Sequence, residues 1–361
     1  MAPQKGATNT GFLAFCASLF VALFLNAALR PHAGVDESPH GLTWLLAMSV
    51  VALGASIAVE LPALVSSAYD DLIQPGDARR YPGLVTAWLT RELLRLVSRA
   101  MWFAVLVVST FGVIRSTDAW PIPAFVVATA IMYVRALAVP IEPAYRFATQ
   151  PASDHVLGCV RELALQADVN VGEVRTHRLI PGLRHHLASA SGLGRRSLIT
   201  LSPAIADSEP EILRPVVSHE LGHLRRGAWR RVLVHSVFLA VITLGALLAV
   251  SAGSDPAIDG SPYAIGSFAF FWIGGLNLLG PAYAWYSRRE ELTADRFGAE
   301  LVGDPEAYST VLVLLEDEGR DRSANANVAF GRSHPPLAQR VEAVRALLPR
   351  SGPATWGGPP G

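Results

Sequence analysis

The chain has 361 residues, 51% of them hydrophobic and only 17% charged, against roughly a quarter charged in soluble domains, and that deficit points to a membrane protein. Its 30 basic and 30 acidic residues cancel, leaving no bulk basicity for nucleic acid and no acidic tail. The two cysteines, Cys16 in an apolar run and Cys159 in a polar region, exclude a disulfide framework, so the fold rests on burial, with room for a metal.

A spanning helix needs roughly 20 apolar residues to cross about 30 Å of hydrocarbon. The first run, Gly11–Leu29, follows Lys5 and could be read as a signal peptide. It is longer than the usual apolar core of about 7–15 residues, and further spans follow, so a membrane helix is the better reading. A second span covers Leu42–Val59. A third, short one centres on Met101–Ile114 between Arg99 and Arg115, and a fourth on Pro121–Val134. These two are expected to form a hairpin. The fifth, Val232–Ser251, and sixth, Tyr263–Tyr286, are the strongest. Gly274, Gly275, Gly280 and Pro281 in the sixth read as helix-packing residues.

Basic residues cluster at Arg79–Arg99, at Arg225–Arg231 and at Arg288–Arg289, whereas the loop 252–262 holds two aspartates and no basic residue. The excess of positive charge on cytoplasmic loops then places both polar segments, 142–230 and 288–361, in the cytoplasm. The first polar segment predicts a helix over Ser153–Ala167, a strand at Ser197–Leu201, and a helix capped by Asp207 or Ser208 with Pro210 in its first turn. The second predicts helices over 288–301, 305–318 and 336–348. The tail 351–361, rich in Gly and Pro, is expected to be disordered.

His219-Glu220-Leu221-Gly222-His223 falls on the helix that begins near Pro210. Residues four apart share a helix face, so both imidazoles can reach one ion. Glu220 beside them can take a proton from a water that zinc acidifies. Such a motif also arises by chance, and Pro215, one turn earlier, removes a backbone donor and is expected to bend the helix. A catalytic zinc site needs a third protein ligand. Within Ser287-Arg288-Arg289-Glu290-Glu291-Leu292-Thr293-Ala294-Asp295, Glu291 can ligate, and Asp295, four residues on, can orient a ligating histidine. Glu290 points about 100° away from Glu291 and reads as solvated. Two crossings separate His223 from Glu291 and return the chain to the same side of the bilayer, so both half-sites meet one aqueous face. His185, His186 and His235 read as exposed loop or interfacial histidines.

HELGH, a transmembrane hairpin, SRREELTAD and then SHPPLAQR resemble the HtpX-like membrane metallopeptidases and their relatives, the CAAX prenyl endopeptidases. Both are gluzincins, and the likeness runs from about Asp154 to Leu348. The resemblance implies zinc, one per chain, on His219, His223 and Glu291, with Glu220 as general base. It also implies Asp295 as the acidic residue after the glutamate ligand, and His334 and Arg340 as residues that stabilise the oxyanion and organise the site. Leu187-Ala188-Ser189-Ala190-Ser191-Gly192 matches the family's substrate-binding edge strand, except that Leu187 replaces its asparagine. An edge strand still binds an extended peptide through backbone pairing.

The expected protein is therefore mainly α: a polytopic helical membrane protein with a small cytoplasmic zincin-like α+β metalloprotease domain. The expected divisions are a transmembrane region over 1–141 with about four spans, a first protease segment over 142–230, a transmembrane hairpin over 231–287, a second protease segment over 288–350, and a tail over 351–361. The expected setting is the plasma membrane, with lipid and an extended protein or peptide substrate as partners and no nucleic acid. The expected activity is zinc-dependent hydrolysis of peptide bonds in membrane or unfolded proteins at the cytoplasmic face. The rival readings are a signalling protease that cleaves a cytoplasmic repressor and a non-catalytic scaffold stabilised by zinc.

Overall fold

Among the described residues, four helices carry apolar runs, and a small sheet packs at one end of them. In the computed structural model, residues 83–138, 142–178, 187–225, 228–253, 262–320 and 335–347 are described, with isolated positions between 54 and 68. The span expected at Gly11–Leu29, most of that at Leu42–Val59, His185, His186, His334 and the tail 351–361 lie outside the described residues.

Helix α1 spans Leu84–Ser116 and α2 spans Pro121–Ala138. They form the expected hairpin, but the short third run is only the second half of α1. The helix continues back through its charged stretch, where Glu92 accepts hydrogen bonds from Arg91 Nε at 2.7 Å and Arg95 Nη1 at 2.8 Å. The other two long helices are α7, Ala228–Gly253, and α8, Pro262–Val302. All four are long and apolar enough to cross a membrane. Their shared core buries Val107 and Phe111 of α1, Ala124 of α2, Leu247 of α7 and Phe268 of α8. Gly275 is needed where α8 meets α7, since a Cβ there would lie 2.9 Å from Ile242 Cγ2. Gly274 has nothing within 4 Å, so the packing reading holds for Gly275 and not for Gly274.

Between α2 and α7 lie α3 (Pro143–Ala148), β1 (Thr149–Pro151), α4 (Asp154–Gln166), β2 (Glu173–His177), β3 (Ala188–Ser191), β4 (Leu198–Leu201), α5 (Pro203–Ala206) and α6 (Pro210–Leu224). The sheet order is β1-β2-β4-β3, with β2 parallel to β4 and the other pairs antiparallel. The four residues of β4 are all buried, as expected of a central strand with both faces covered. Its Ile199 and Leu201 pack with Val156 and Leu163 of α4 and with Leu213, Val217 and Leu221 of α6. β3 lies at the sheet edge. Its register pairs Ala188 with Leu201 and Ser191 with Leu198, and among the described residues no strand lies beyond it.

Helix α6 begins differently from the expectation. Ser202 caps the short α5, accepting from the Ile205 N–H at 3.3 Å. Asp207 and Ser208 then form the turn between two helices, with the Ser208 hydroxyl donating to the Ile205 carbonyl at 2.7 Å. Glu209 precedes α6, and Pro210 is its first residue. That position suits proline, whose missing N–H would have no helical partner there. The helix runs on through Pro215.

The sixth span and the helix expected after it are one element, so a division at 287/288 cuts α8 near its middle. Arg289 lies over the Trp285 ring, 3.9 Å from its centroid, on the next helical turn, and no helix-breaking residue intervenes. The turn of α8 that carries Glu291 and Asp295 is therefore continuous with the membrane helix, in which Pro281 also lies. Gly303, with φ 78°, ends it in the left-handed conformation. Helices α9 (Pro305–Arg320) and α10 (Leu337–Arg345) pack back on α8 through Ala299, Tyr308, Leu312 and Val344.

Candidate active site

The site forms where α6 crosses α8 at close range. A Cβ at Gly222 would lie 2.9 Å from the Ala294 Cα, so no larger residue fits there without separating the helices. Gly298 has the same role a turn later on α8, where a Cβ would sit 2.8 Å from the Tyr308 hydroxyl and 3.1 Å from the His219 backbone nitrogen. The crossing brings His219 and His223 of α6 against Glu291 and Asp295 of α8, as expected from the four-residue spacing in each helix.

His219 Nε2 lies 3.5 Å from Glu291 Oε2, and His223 Nε2 lies 3.3 Å from Glu291 Oε1. One ligand atom from each residue lies within 4.8 Å of the others. Nitrogen and oxygen ligands at roughly 2.0–2.1 Å in a tetrahedron are separated by roughly 3.3 Å. Two imidazoles and a carboxylate at this spacing, with Glu291 buried, therefore fit a single divalent ion of zinc's size and chemistry, with one coordination position left over.

Asp295 holds the histidine end of this set. It is fully buried and lies 3.0 Å from His219 Nδ1. It also accepts two hydrogen bonds from Arg340, Nε to Oδ2 and Nη2 to Oδ1, both at 2.7 Å, and one from the Tyr308 hydroxyl at 3.3 Å. An Nδ1–H donated to Asp295 turns the Nε2 lone pair toward the ion site. Burial alone would raise the Asp295 pKa, but Arg340 and then His219 outweigh it and hold the carboxyl at about 2. Burial likewise lowers His219, but its hydrogen bonds to Asp295 and then Glu291 push it up to about 10. A cation held at Nε2 would take the place of the second ring proton and would leave the bond from Nδ1 to Asp295 in place.

Glu220 follows His219 on α6 and is 5% exposed. A pocket of about 420 Å³ opens beside the triad. It is lined by Ala190, Ser191 and Gly192 at the end of edge strand β3, by His223 and Glu291, and by residues of α2, α7 and α8. Glu290, expected to be solvated, is half-buried and lines this pocket next to Glu291. His235, expected at the interface, lines it too, with its Nδ1 and the Tyr283 hydroxyl sharing a hydrogen bond at 2.9 Å.

Of the residues expected at the site, His219, Glu220, His223, Glu291, Asp295 and Arg340 come together, and His334 lies outside the described residues. Sequence reasoning misses Tyr308. A tyrosine in the apolar stripe of α9 reads as core, and its only clue is that a buried hydroxyl needs a partner.

The fold and the donor set define a membrane metallopeptidase of the gluzincin kind. Residues 160–348, just over half of the chain, match the family model for peptidase family M48, and the chain belongs to that family. It is similar to "Protease HtpX" of Pseudomonas putida (strain F1), at 27% identity over 223 residues, covering 55% of this chain and 74% of the relative. It is also 30% identical over 212 residues to "Protease HtpX homolog" of Chlorobium luteolum, covering 53% of this chain and 71% of that one. Among solved structures, that of S. mikatae Ste24p shares the fold, with a TM-score of 0.63 over 90% of this chain and 80% of that one at 16% identity.

Proposed function

We propose that the protein is a zinc-dependent endopeptidase that hydrolyses peptide bonds of membrane or unfolded proteins at the cytoplasmic face of the membrane. The observation that carries this reading is the meeting of His219, His223 and Glu291 at one possible ion site, with His223, Glu291 and the end of the outer strand of the sheet lining one pocket. His219, His223 and Glu291 would hold the zinc. When bound, zinc acidifies a water and polarises the scissile carbonyl.

The rest of the work falls to the chain's own residues. The edge of β3 pairs with an extended substrate backbone and sets its register against the site. Glu220 takes the proton of the attacking water and returns it to the leaving amine. Arg340 acts through Asp295, since its Nε and Nη2 both donate there, and so keeps His219 oriented. The family resemblance gives His334 the part of stabilising the oxyanion. The cytoplasmic orientation rests on the arginines at 225–231, at the start of α7, and at 288–289, just past the apolar stretch of α8.

The test uses detergent-solubilised protein, wild type and Glu220→Gln in parallel, with metal content and cleavage of an unfolded protein as readouts. One zinc in each and cleavage by wild type alone is the expected result. Full activity of Glu220→Gln, or no metal in either protein, would overturn the reading.

A further inference from the structure

The pocket beside the triad is larger than ion binding requires, and part of its lining comes from the membrane helices. Four charged residues line it: Arg135 at the end of α2, Arg231 in the first turn of α7, and Glu290 and Glu291 on α8. Glu291 belongs to the metal triad, so two guanidiniums face one remaining carboxylate. Arg231 is half-buried, and its charge is felt at His223. Among the described residues no carboxylate lies within ion-pair distance of it. The hydrogen-bonded His235 and Tyr283 add polar groups to the same lining. Holding a guanidinium partly out of water without a carboxylate partner is unfavourable, and its planar fork is suited to binding a carboxylate through two bonds. Ala190, Ser191 and Gly192 line the same pocket, and their small size leaves space next to the strand edge where the substrate is read to lie.

We infer that this pocket is a specificity subsite that receives a substrate carboxylate close to the scissile bond, with Arg231 as its principal partner and Arg135 in support. The inference rests on the endopeptidase reading and adds a substrate class to it. Two sources carry this chemistry, an Asp or Glu side chain and a free chain terminus.

The zinc-loaded protein in detergent would be tested with fluorescent peptides that differ only as Asp/Asn or Glu/Gln pairs at each position flanking the cleaved bond, and with a C-terminal acid/amide pair. Cleavage is read on wild type, and affinity is read by anisotropy on Glu220→Gln. A carboxylate bound through charged hydrogen bonds should be favoured over its neutral isostere roughly 10- to 100-fold at one position. Adding Arg231→Gln should bring that ratio below about threefold, and Arg231→Lys should keep some of it. Arg231→Glu should reverse the ratio in favour of the neutral member of the pair. Discrimination in the side-chain pairs identifies an acidic residue, and discrimination only in the acid/amide pair identifies a chain end.

Equal affinity within every pair, or a ratio unchanged by Arg231→Gln in protein that still carries its zinc, would overturn the inference. Loss of all cleavage by wild type would instead sink the endopeptidase reading, because the affinity ratios on Glu220→Gln are measured independently of turnover.

Discussion

Asp295→Asn is the substitution from which the site's construction predicts most. The side chain is fully buried and takes four hydrogen bonds, two from Arg340 and one each from His219 and Tyr308. Asparagine keeps the shape but offers one acceptor oxygen, so its amide must face at least one N–H of Arg340. It also leaves that guanidinium, with only 16% of its side chain exposed, without a counter-charge. Removing one partner of a buried ion pair costs about 3–5 kcal/mol. At about 2–4 °C per kcal/mol for a domain of 150–250 residues, the melting temperature should fall by roughly 6–20 °C. Loss of the acceptor behind a ligating histidine should independently weaken zinc binding by roughly 10- to 100-fold. The two effects separate in the double variant Asp295→Asn/Arg340→Met. Stability should partly return because no charge is stranded, while zinc affinity, measured by chelator competition, should stay low because His219 Nδ1 still lacks its carboxylate. Zinc affinity within about twofold of wild type in the single variant, or full recovery of affinity in the double, would refute this account of Asp295.

Gly222→Ala pushes a methyl group to 2.9 Å from the backbone of Ala294, where nothing flexible can yield. It should cost about 1–3 kcal/mol of stability and reduce bound zinc without touching a ligand; unchanged metal content would show that the helix crossing tolerates the shift. The depressed Asp295 pKa sets a pH dependence. Its folded value of about 2 lies below an unfolded value near 3.9, so it contributes stability above about pH 4 that is lost as pH falls through about 2. The contribution is about 2–3 kcal/mol. Because asparagine does not titrate, the stability gap between wild type and Asp295→Asn should narrow by that amount as pH falls from about 5 to 2, followed by denaturant unfolding. A gap constant over that range would mean that Asp295 is not held ionised by its partners.

Much of the proposed catalytic constellation is a local matter and is legible in the sequence. The spacing of His219 and His223 puts both rings on one helix face, and the same spacing pairs Glu291 with Asp295, because 3.6 residues per turn leaves little choice. The two long apolar runs between them require a hairpin, and a hairpin returns Glu291 to the side of His223 whatever the details of packing. The mainly apolar run of β4 is legible because strand patterns express burial directly, whereas the small-residue run of β3 is read as a strand only through the family resemblance. The tertiary structure decides what depends on meetings between distant segments. No local pattern shows that Gly222 sits against Ala294, that Tyr308 and Arg340 converge on Asp295 from two later helices, or that the sixth span runs unbroken into the ligand turn. The arginines make the point most plainly. From sequence Arg231 marks the cytoplasmic end of a span and Arg135 the end of another, because charge near an apolar run reports only on the bilayer. Packing α2, α7 and α8 around the edge strand places both on one pocket, and that arrangement depends on side-chain complementarity between elements far apart in the chain.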